Sequence, residues 1–336
     1  MKTNLALFFA MALGLTSCFK EDERIAPTDR GGKITASFGM TQTYKYQFYY
    51  SLEDSVIRGQ SDKNAFGLVF DNRPGKAGIF LNSANFSMAA ASGRYRFNDV
   101  KNLAGLRFDF DASSGNADSL VFRGWMRIEG ADTLYSHEVY VIDLGYDDLG
   151  NSLGYRKIIL DSLKGNDYFF RYGLLNSDEA LSATVSKSGS SNFAYFSFET
   201  NEQCYPEPSG QAYDLLFTQY TTMLFTNEGE PYPYLVTGVL LNPEQTLACL
   251  VKGLDFDSIQ AEIIDDLPFT AKPDIIGYDW KEVKGDVNSG NVYYEIRPEN
   301  VYFVKTRSGF VFKLRFIGFY SNSGEKGWPT IEFQRI

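Results

Sequence analysis

The sequence predicts an all-β protein built from two tandem antiparallel β domains of related topology, the product of an internal duplication. Three observations carry this. Of the 336 residues, 16% are aromatic, with 22 Tyr and 28 Phe, and aromatic and β-branched side chains suit pleated, half-buried surfaces. Tyr44, Tyr46, Phe48 and Tyr50 alternate with Lys45, Gln47 and Tyr49, the period of two that a strand with one buried face requires. The chain also repeats itself in order. Tyr49–Glu53, Ala65–Phe70, Ile79–Asn82, Phe97–Val100, Trp125, Val139–Ile142 and Lys157-Ile158 are answered by Tyr195–Glu199, Ala212–Phe217, Val239–Asn242, Phe256–Ile259, Trp280, Val301–Val304 and Lys313-Leu314. After a longer loop early in the second copy, the spacing settles at roughly 155–162 residues, a unit much larger than a solenoid repeat.

At the N-terminus, Lys2 followed by the apolar run Leu5–Leu15 reads as a signal peptide over residues 1–17, since a spanning helix needs about 20 apolar residues. Leu15-Thr16-Ser17-Cys18 closes it. Residues 18–36 then form a charged tether containing Pro27 and Gly31-Gly32. The first β domain is expected over 37–176, a Ser-rich linker over 177–192, and the second domain over 193–336.

Within the first domain, Ala65–Phe70 and Ala77–Leu81 read as strands around the turn cluster Asp71–Gly75. Asn98–Leu103 suits a single helical turn. Ser113–Asn116 suits a hairpin turn between Leu106–Phe110 and Ser119–Ile128. Val139–Leu144 and Tyr155–Leu160 are strands flanking Gly145–Asn151, whose Asp147-Asp148 pair lacks the spacing of a calcium loop and reads as a polar turn. The same reading applies to Asp286–Gly290. In the second domain, Asp257–Ile264 suggests a short helix. Val301–Tyr320 is an aromatic hairpin turning at Ser308-Gly309. Trp125 and Trp280 recur in the repeat as core residues would. Cys204 and Cys249 are open to two readings, one disulfide in an exported protein or two separate thiols.

The formal net charge of −10 opposes a phosphate backbone, so nucleic acid is not an expected partner. The motif inventory also fails to point to an enzyme. There is no G-x-S-x-G elbow, no phosphate loop and no His/Cys metal cluster, and a Ser-His-acid triad would have to use the single histidine.

Two stretches resemble known families. Leu15–Cys18 resembles the lipobox of bacterial lipoproteins, which implies lipidation at Cys18, and the following Phe19–Glu23 looks like the surface-export signal of Bacteroidota lipoproteins. The membrane partner is then met through acyl chains, and the location is the outer membrane with the protein exposed at the cell surface. The closing hairpin Val301–Tyr320, Tyr195–Glu199, Tyr213–Phe217 and the Gly327–Phe333 ending resemble the HmuY family. That resemblance covers the second half directly and the first half through the repeat. It implies an all-β surface lipoprotein that binds haem as cofactor or cargo, acts in iron acquisition and hands its ligand to an outer-membrane receptor. The alternative is a β-sandwich lipoprotein that binds a glycan or a partner protein.

Haem iron of this family is held by His or Met, and this sequence has one His and, beyond the signal peptide, Met40, Met88, Met126 and Met223. Candidate ligands are therefore His137 and Met223. Met88 and Met126 read as gap-fillers in apolar segments, and Met223 lies on a segment that reads as a loop.

Overall fold

In a computed structural model, which describes residues 31–286 and 291–336, the repeat seen in the sequence becomes a repeat of strands. Cys18, the signal peptide and most of the tether lie outside the described residues, as do four residues of the Asp286–Gly290 turn. The first copy runs through β1 (Ile34–Ser37), β2 (Tyr46–Ser51), β3 (Val56–Asp62), β4 (Leu68–Asp71), β5 (Ile79–Leu81), β6 (Met88–Ala91), β7 (Met126–Glu129), β8 (Asp132–Tyr135), β9 (Val139–Asp143), β10 (Tyr155–Lys164) and β11 (Asp167–Leu174). The second runs through β12 (Leu181–Ser186), β13 (Phe193–Ser197), β14 (Glu202–Cys204), β15 (Leu215–Phe225), β16 (Pro231–Leu241), β17 (Leu247–Lys252), β18 (Lys281–Asp286), β19 (Asn291–Ile296), β20 (Asn300–Lys305), β21 (Val311–Tyr320) and β22 (Lys326–Arg335).

Each copy supplies strands to two sandwiches, because the first three strands of each copy are exchanged. The first sandwich packs the sheet β14-β13-β4-β5 on the sheet β12-β11-β10-β9-β6. The second packs β16-β15-β2-β3 on β1-β22-β21-β20-β17. Thus β1–β3 complete the second sandwich and β12–β14 complete the first. Residues 68–204 build one sandwich from a contiguous stretch, while the other joins residues 34–62 to residues 215–336. The expected halves therefore do not coincide with the two cores. Leu181–Ser186, expected inside the linker, is a strand in register with β11, and Phe193–Phe196 pair with Leu68–Asp71 across that linker. Gly32–Ile336 forms one compact unit.

Two separate cores follow from the strand period. In the first, Leu68, Phe70, Leu81, Tyr140, Ile142, Ile158, Leu160, Tyr168, Phe170 and Phe196 pack together. In the second, the inward positions are Phe48, Tyr50, Leu215, Phe217, Leu241, Tyr302, Val304, Leu314, Phe316 and Phe333. Trp125 and Trp280 are buried in their respective cores as expected. The outer face of each five-stranded sheet is covered by a loop with a 3-10 turn, Phe97–Asp99 in one copy and Phe256–Ser258 in the other.

Buried polar devices are also duplicated. Asn82 donates to the carbonyls of Lys63 and Phe66 and accepts from the amide of Ala84. Asn242 donates to those of Gly210 and Tyr213 and accepts from Glu244. Lys157 is fully buried, donates to the Val100 carbonyl at 2.7 Å and stands 4.4 Å from the Phe97 ring. Lys313 donates to the Phe256 carbonyl at 2.7 Å and stands 4.9 Å from that residue's ring. A buried ammonium needs such partners, because transfer from water without them is costly.

Several local expectations change. Ser113–Asn116 does not turn a hairpin: the chain from Leu106 to Trp125 is loop with one 3-10 turn, Ala117–Ser119, and the hairpin lies later, as β7 and β8. The apolar residues of that loop are used to cover the sheet and the core, with Leu106 and Phe108 on the outer face and Phe122 inside. The helix expected at Asp257–Ile264 is two 3-10 segments, Phe256–Ser258 and Ala261–Asp266, and the carboxylate of Asp255 caps the first of them. Met223 lies on β15, because the second copy's hairpin is far longer than its counterpart β4–β5. Cys204 and Cys249 are both free thiols. Asp147-Asp148 is a polar turn, in which Asp147 accepts from the amides of Leu149 and Asn151. No helix of the described residues is long and apolar enough to cross a membrane.

Candidate functional site: a cleft between two like walls

The expectation that β2 buries one face fails, and the failure locates the site. Tyr46–Ser51 is buried on nearly every residue. Its even-numbered positions enter the second core. Tyr49 turns the other way, in register with Leu216 on β15, which is in register with Leu240 on β16. The first sandwich has the same row at the same positions: Tyr195 opposite Val69, and Val69 opposite Phe80. Each four-stranded sheet therefore carries an apolar row on its outward face as well as its core face. One face serves the core, and the other face lines or backs a shared cleft.

That cleft has a volume of about 790 Å³, within the range of about 300–1,000 Å³ usual for small-molecule sites. Aromatic lining comes from Tyr49, Phe80, Phe193, Tyr195, Tyr213 and Tyr220, and aliphatic lining from Leu120, Leu216, Leu240 and the prolines Pro243 and Pro273. Phe80 and Phe193 meet edge to face, with centroids 5.5 Å apart. Loops of both sandwiches meet at one end, where Ser113 donates to Asp274 at 2.6 Å. Gly115 touches Pro273 there; it has φ +75°, and a Cβ at that position would come within 2.8 Å of the proline ring. Only glycine suits both that φ and that approach.

Behind the lining residues Phe193, Tyr195 and Tyr213 lies a buried polar cluster centred on Glu207. Its carboxylate accepts from the hydroxyls of Tyr213 at 2.8 Å and Tyr195 at 3.0 Å, and from the amides of Phe193 at 2.9 Å and Asn192 at 3.3 Å. Burial pushes the Glu207 carboxyl upward, and these hydrogen bonds offset part of that. Asn192 ties the cluster to Asn242 of the neighbouring sandwich at 3.1 Å. Charged groups in the lining are paired within the protein. Arg73 grips Asp71 through two bonds of 2.9 and 2.7 Å. Lys272 meets Asp274 at 3.1 Å. Asp111 accepts from the amides of Leu81 and Val121, and burial raises its carboxyl to about 6. With these charged groups paired, the cleft offers a ligand mainly ring faces and methyl groups.

The two residues singled out as iron ligands do not line this cleft. His137 sits between β8 and β9, more than half exposed, at φ 51°, with Nδ1 3.8 Å from Asp161, whose carboxylate Arg171 already holds at 2.7 Å. Met223 is exposed on β15. Met40 is buried in the second core, and Met88 and Met126 are partly buried, Met126 against the first core. Among the described residues no group of three or more His, Cys, Asp or Glu is placed to hold a metal ion. The signal that could have disclosed the cleft is the unbroken apolar character of Phe48-Tyr49-Tyr50 and Leu215-Leu216-Phe217, a mark of strands covered on both faces.

No family model matches the chain, and no curated relative does. Solved structures that align with it include apo PinO from Porphyromonas gingivitis, at 10% identity over 91% of this chain and 98% of that one with a TM-score of 0.30. The apo HmuY analogue of Tannerella forsythia aligns at 10% identity over 91% and 98%, with a TM-score of 0.25. A putative HmuY-like haem-binding protein from Bacteroides vulgatus aligns at 15% identity over 42% and 82%, with a TM-score of 0.19. The chain is thus similar to HmuY-like proteins, at a level that says nothing of its ligand or of the residues that would hold one.

Proposed function

We propose that the protein is a surface lipoprotein, anchored through Cys18 in the outer membrane, that captures a small apolar ligand in the cleft between its two sandwiches. The observation that supports this reading is the cleft itself: about 790 Å³ lined by six aromatic side chains, with the hydroxyls of Tyr195 and Tyr213 engaged by Glu207. Burial of apolar surface is the interaction such walls supply, at roughly 25 cal/mol per Å².

The residue resemblance to the HmuY family makes haem the first ligand to test and an outer-membrane receptor the expected recipient. His137 and Met223 do not fit a shared axial site, since neither lines the cleft and they sit on different elements. A glycan reading would want exposed tryptophan platforms, and Trp125, Trp280 and Trp328 are buried, buried and half-buried. The cleft residues have the character of a binding surface, in which Ser113 and Asp274 tie the loops of the two sandwiches together.

The test is an absorbance titration of the mature protein with haem, repeated with Leu216→Glu. Leu216 is half-buried on the cleft wall, so a carboxylate there charges the wall while leaving the core intact. Saturable binding by the native protein, weakened about tenfold or more by the substitution, is expected. Absence of saturable binding would end the haem reading.

A further inference from the structure

The cleft is deeply aromatic and yet poor in metal donors, and that mismatch carries a statement about ligand class. Haem iron in proteins is held by His, Cys, Met or Tyr. The lining contains no His, Cys or Met. Cys204 packs behind Phe66, Val69 and Tyr195, outside the lining. Four tyrosines remain, and each is committed or closed off. Tyr195 and Tyr213 donate their hydroxyl protons to Glu207. Tyr49 accepts from Gln47 and is 1% exposed, and Tyr220 is 2% exposed. Ionising Tyr195 or Tyr213 would set a phenolate against a buried carboxylate, and burial drives both hydroxyls well above the ordinary tyrosine value. The walls are the same row of positions from the two copies of the repeat, and the exposed parts of those rows are Phe80, Leu216 and Leu240, groups that meet a ring by its face and ignore what lies at its centre.

We propose that the cleft seats a large planar ring ligand by its faces alone, so that a porphyrin is held equally well with iron, with zinc or without a metal. This rests on the reading of the cleft as the ligand seat.

The experiment titrates the full mature chain with iron(III), zinc and metal-free protoporphyrin, read by quenching of protein fluorescence. Affinities within about threefold of one another are expected. Leu216→Glu and Phe193→Ala should weaken all three by about tenfold or more, with an unchanged melting transition as the check on folding. His137→Ala, Met223→Ala and Phe225→Ser, which alter side chains outside the cleft lining, should leave all three unaffected. Iron protoporphyrin binding about tenfold or more tightly than the metal-free ring, or losing affinity selectively on His137→Ala or Met223→Ala, would overturn this proposal and leave the cleft reading standing. Equal binding that ignores the wall substitutions would overturn it as well, and failure of all three ligands would remove both readings.

Discussion

The two sandwiches solve one packing problem twice, and the places where they agree differ in kind from the places where they part. They agree inside: Asn82 and Asn242 make the same three hydrogen bonds, Lys157 and Lys313 lie under the same loop, and Trp125 and Trp280 each begin a hairpin whose partner strand bonds back to the indole-bearing residue's carbonyl. They part at the periphery. The hairpin β4–β5 is short, whereas β15–β16 reaches eleven residues a side and exposes Met223, Phe225 and Tyr234. After the tryptophan comes Met126 in one copy and Lys281 in the other. Buried groups with a hydrogen-bond requirement tolerate little change, and surface strands tolerate much.

The sharpest way to test the pairing of the copies is to delete residues 31–64. This removes Phe38, Met40, Phe48, Tyr50 and Leu52 from the second core and leaves 68–204 whole. Complete loss of the second sandwich's unfolding transition is expected, while a fragment covering 68–204 survives limited proteolysis. Loss of the first sandwich instead would mean that the copies are not exchanged.

Next in size are the tryptophans. Trp280 is fully buried and stacks on Phe316 at 4.0 Å between centroids, and Trp125 is 4% exposed with its indole N–H donating to Ala77 at 3.2 Å. Each change to alanine should cost about 3–5 kcal/mol in chemical denaturation, with Trp280 the costlier. Equal costs would deny that stacking distinguishes the two cores.

Smaller again are the amides. Asn242→Ala and Asn82→Ala should each lose about 1–3 kcal/mol by leaving buried carbonyls unpaired. Asn242 should cost more, because it also accepts from Asn192 across the sandwiches. A double-mutant cycle with Asn192→Ala measures that excess.

The remaining test concerns pH and Lys281, in which burial lowers the ammonium to about 7. Trp280 and Phe319 lie 4.1 and 4.9 Å from its Nζ. The folded value lies below the unfolded one, so between about pH 7 and the ordinary lysine value the unfolded chain holds more protons. Stability should therefore climb with pH across that window, at most on the order of 1.4 kcal/mol per unit, and the penalty is present in full below it. Lys281→Met, which installs the first copy's residue, should flatten this slope in melts taken from pH 6 to 10 and raise stability at the acid end. An unchanged slope would assign the titration elsewhere.

Much of the fold could be read from the residues. The alternation at Tyr44–Tyr50, the turn at Ser308-Gly309 and the collinear repeat are local signals, and strand type follows from local signals. The exchange of β1–β3 with β12–β14 was not legible, because it concerns which partner a strand chooses, and both partners carry the same pattern by virtue of the duplication. The cleft was half legible. Tyr49 and Leu216 sit at positions that a one-faced strand would make polar, and only the pairing of Tyr49 with Leu216 and of Tyr195 with Val69 reveals that two such rows share a cavity. His137 and Met223 were singled out by residue type, which carries no information on direction.

The exchanged strands also set an order of events during synthesis. The chain leaves the ribosome from its N-terminus, so β1–β3 emerge first, yet β1 pairs with β22, with Ile34 opposite Phe333. Residues 68–204 meet no such delay and can close as soon as β14 is made. Assembly therefore begins in the middle of the chain, and β1 is last to find its place. Such distant pairings are slow to form. Until β15 arrives, the aromatic strand Tyr46–Ser51 is paired with β3 alone and its other edge stands open, the kind of edge that invites aggregation. A chain with this topology needs the open edges of β1 and β2 shielded until β22 and β15 are made.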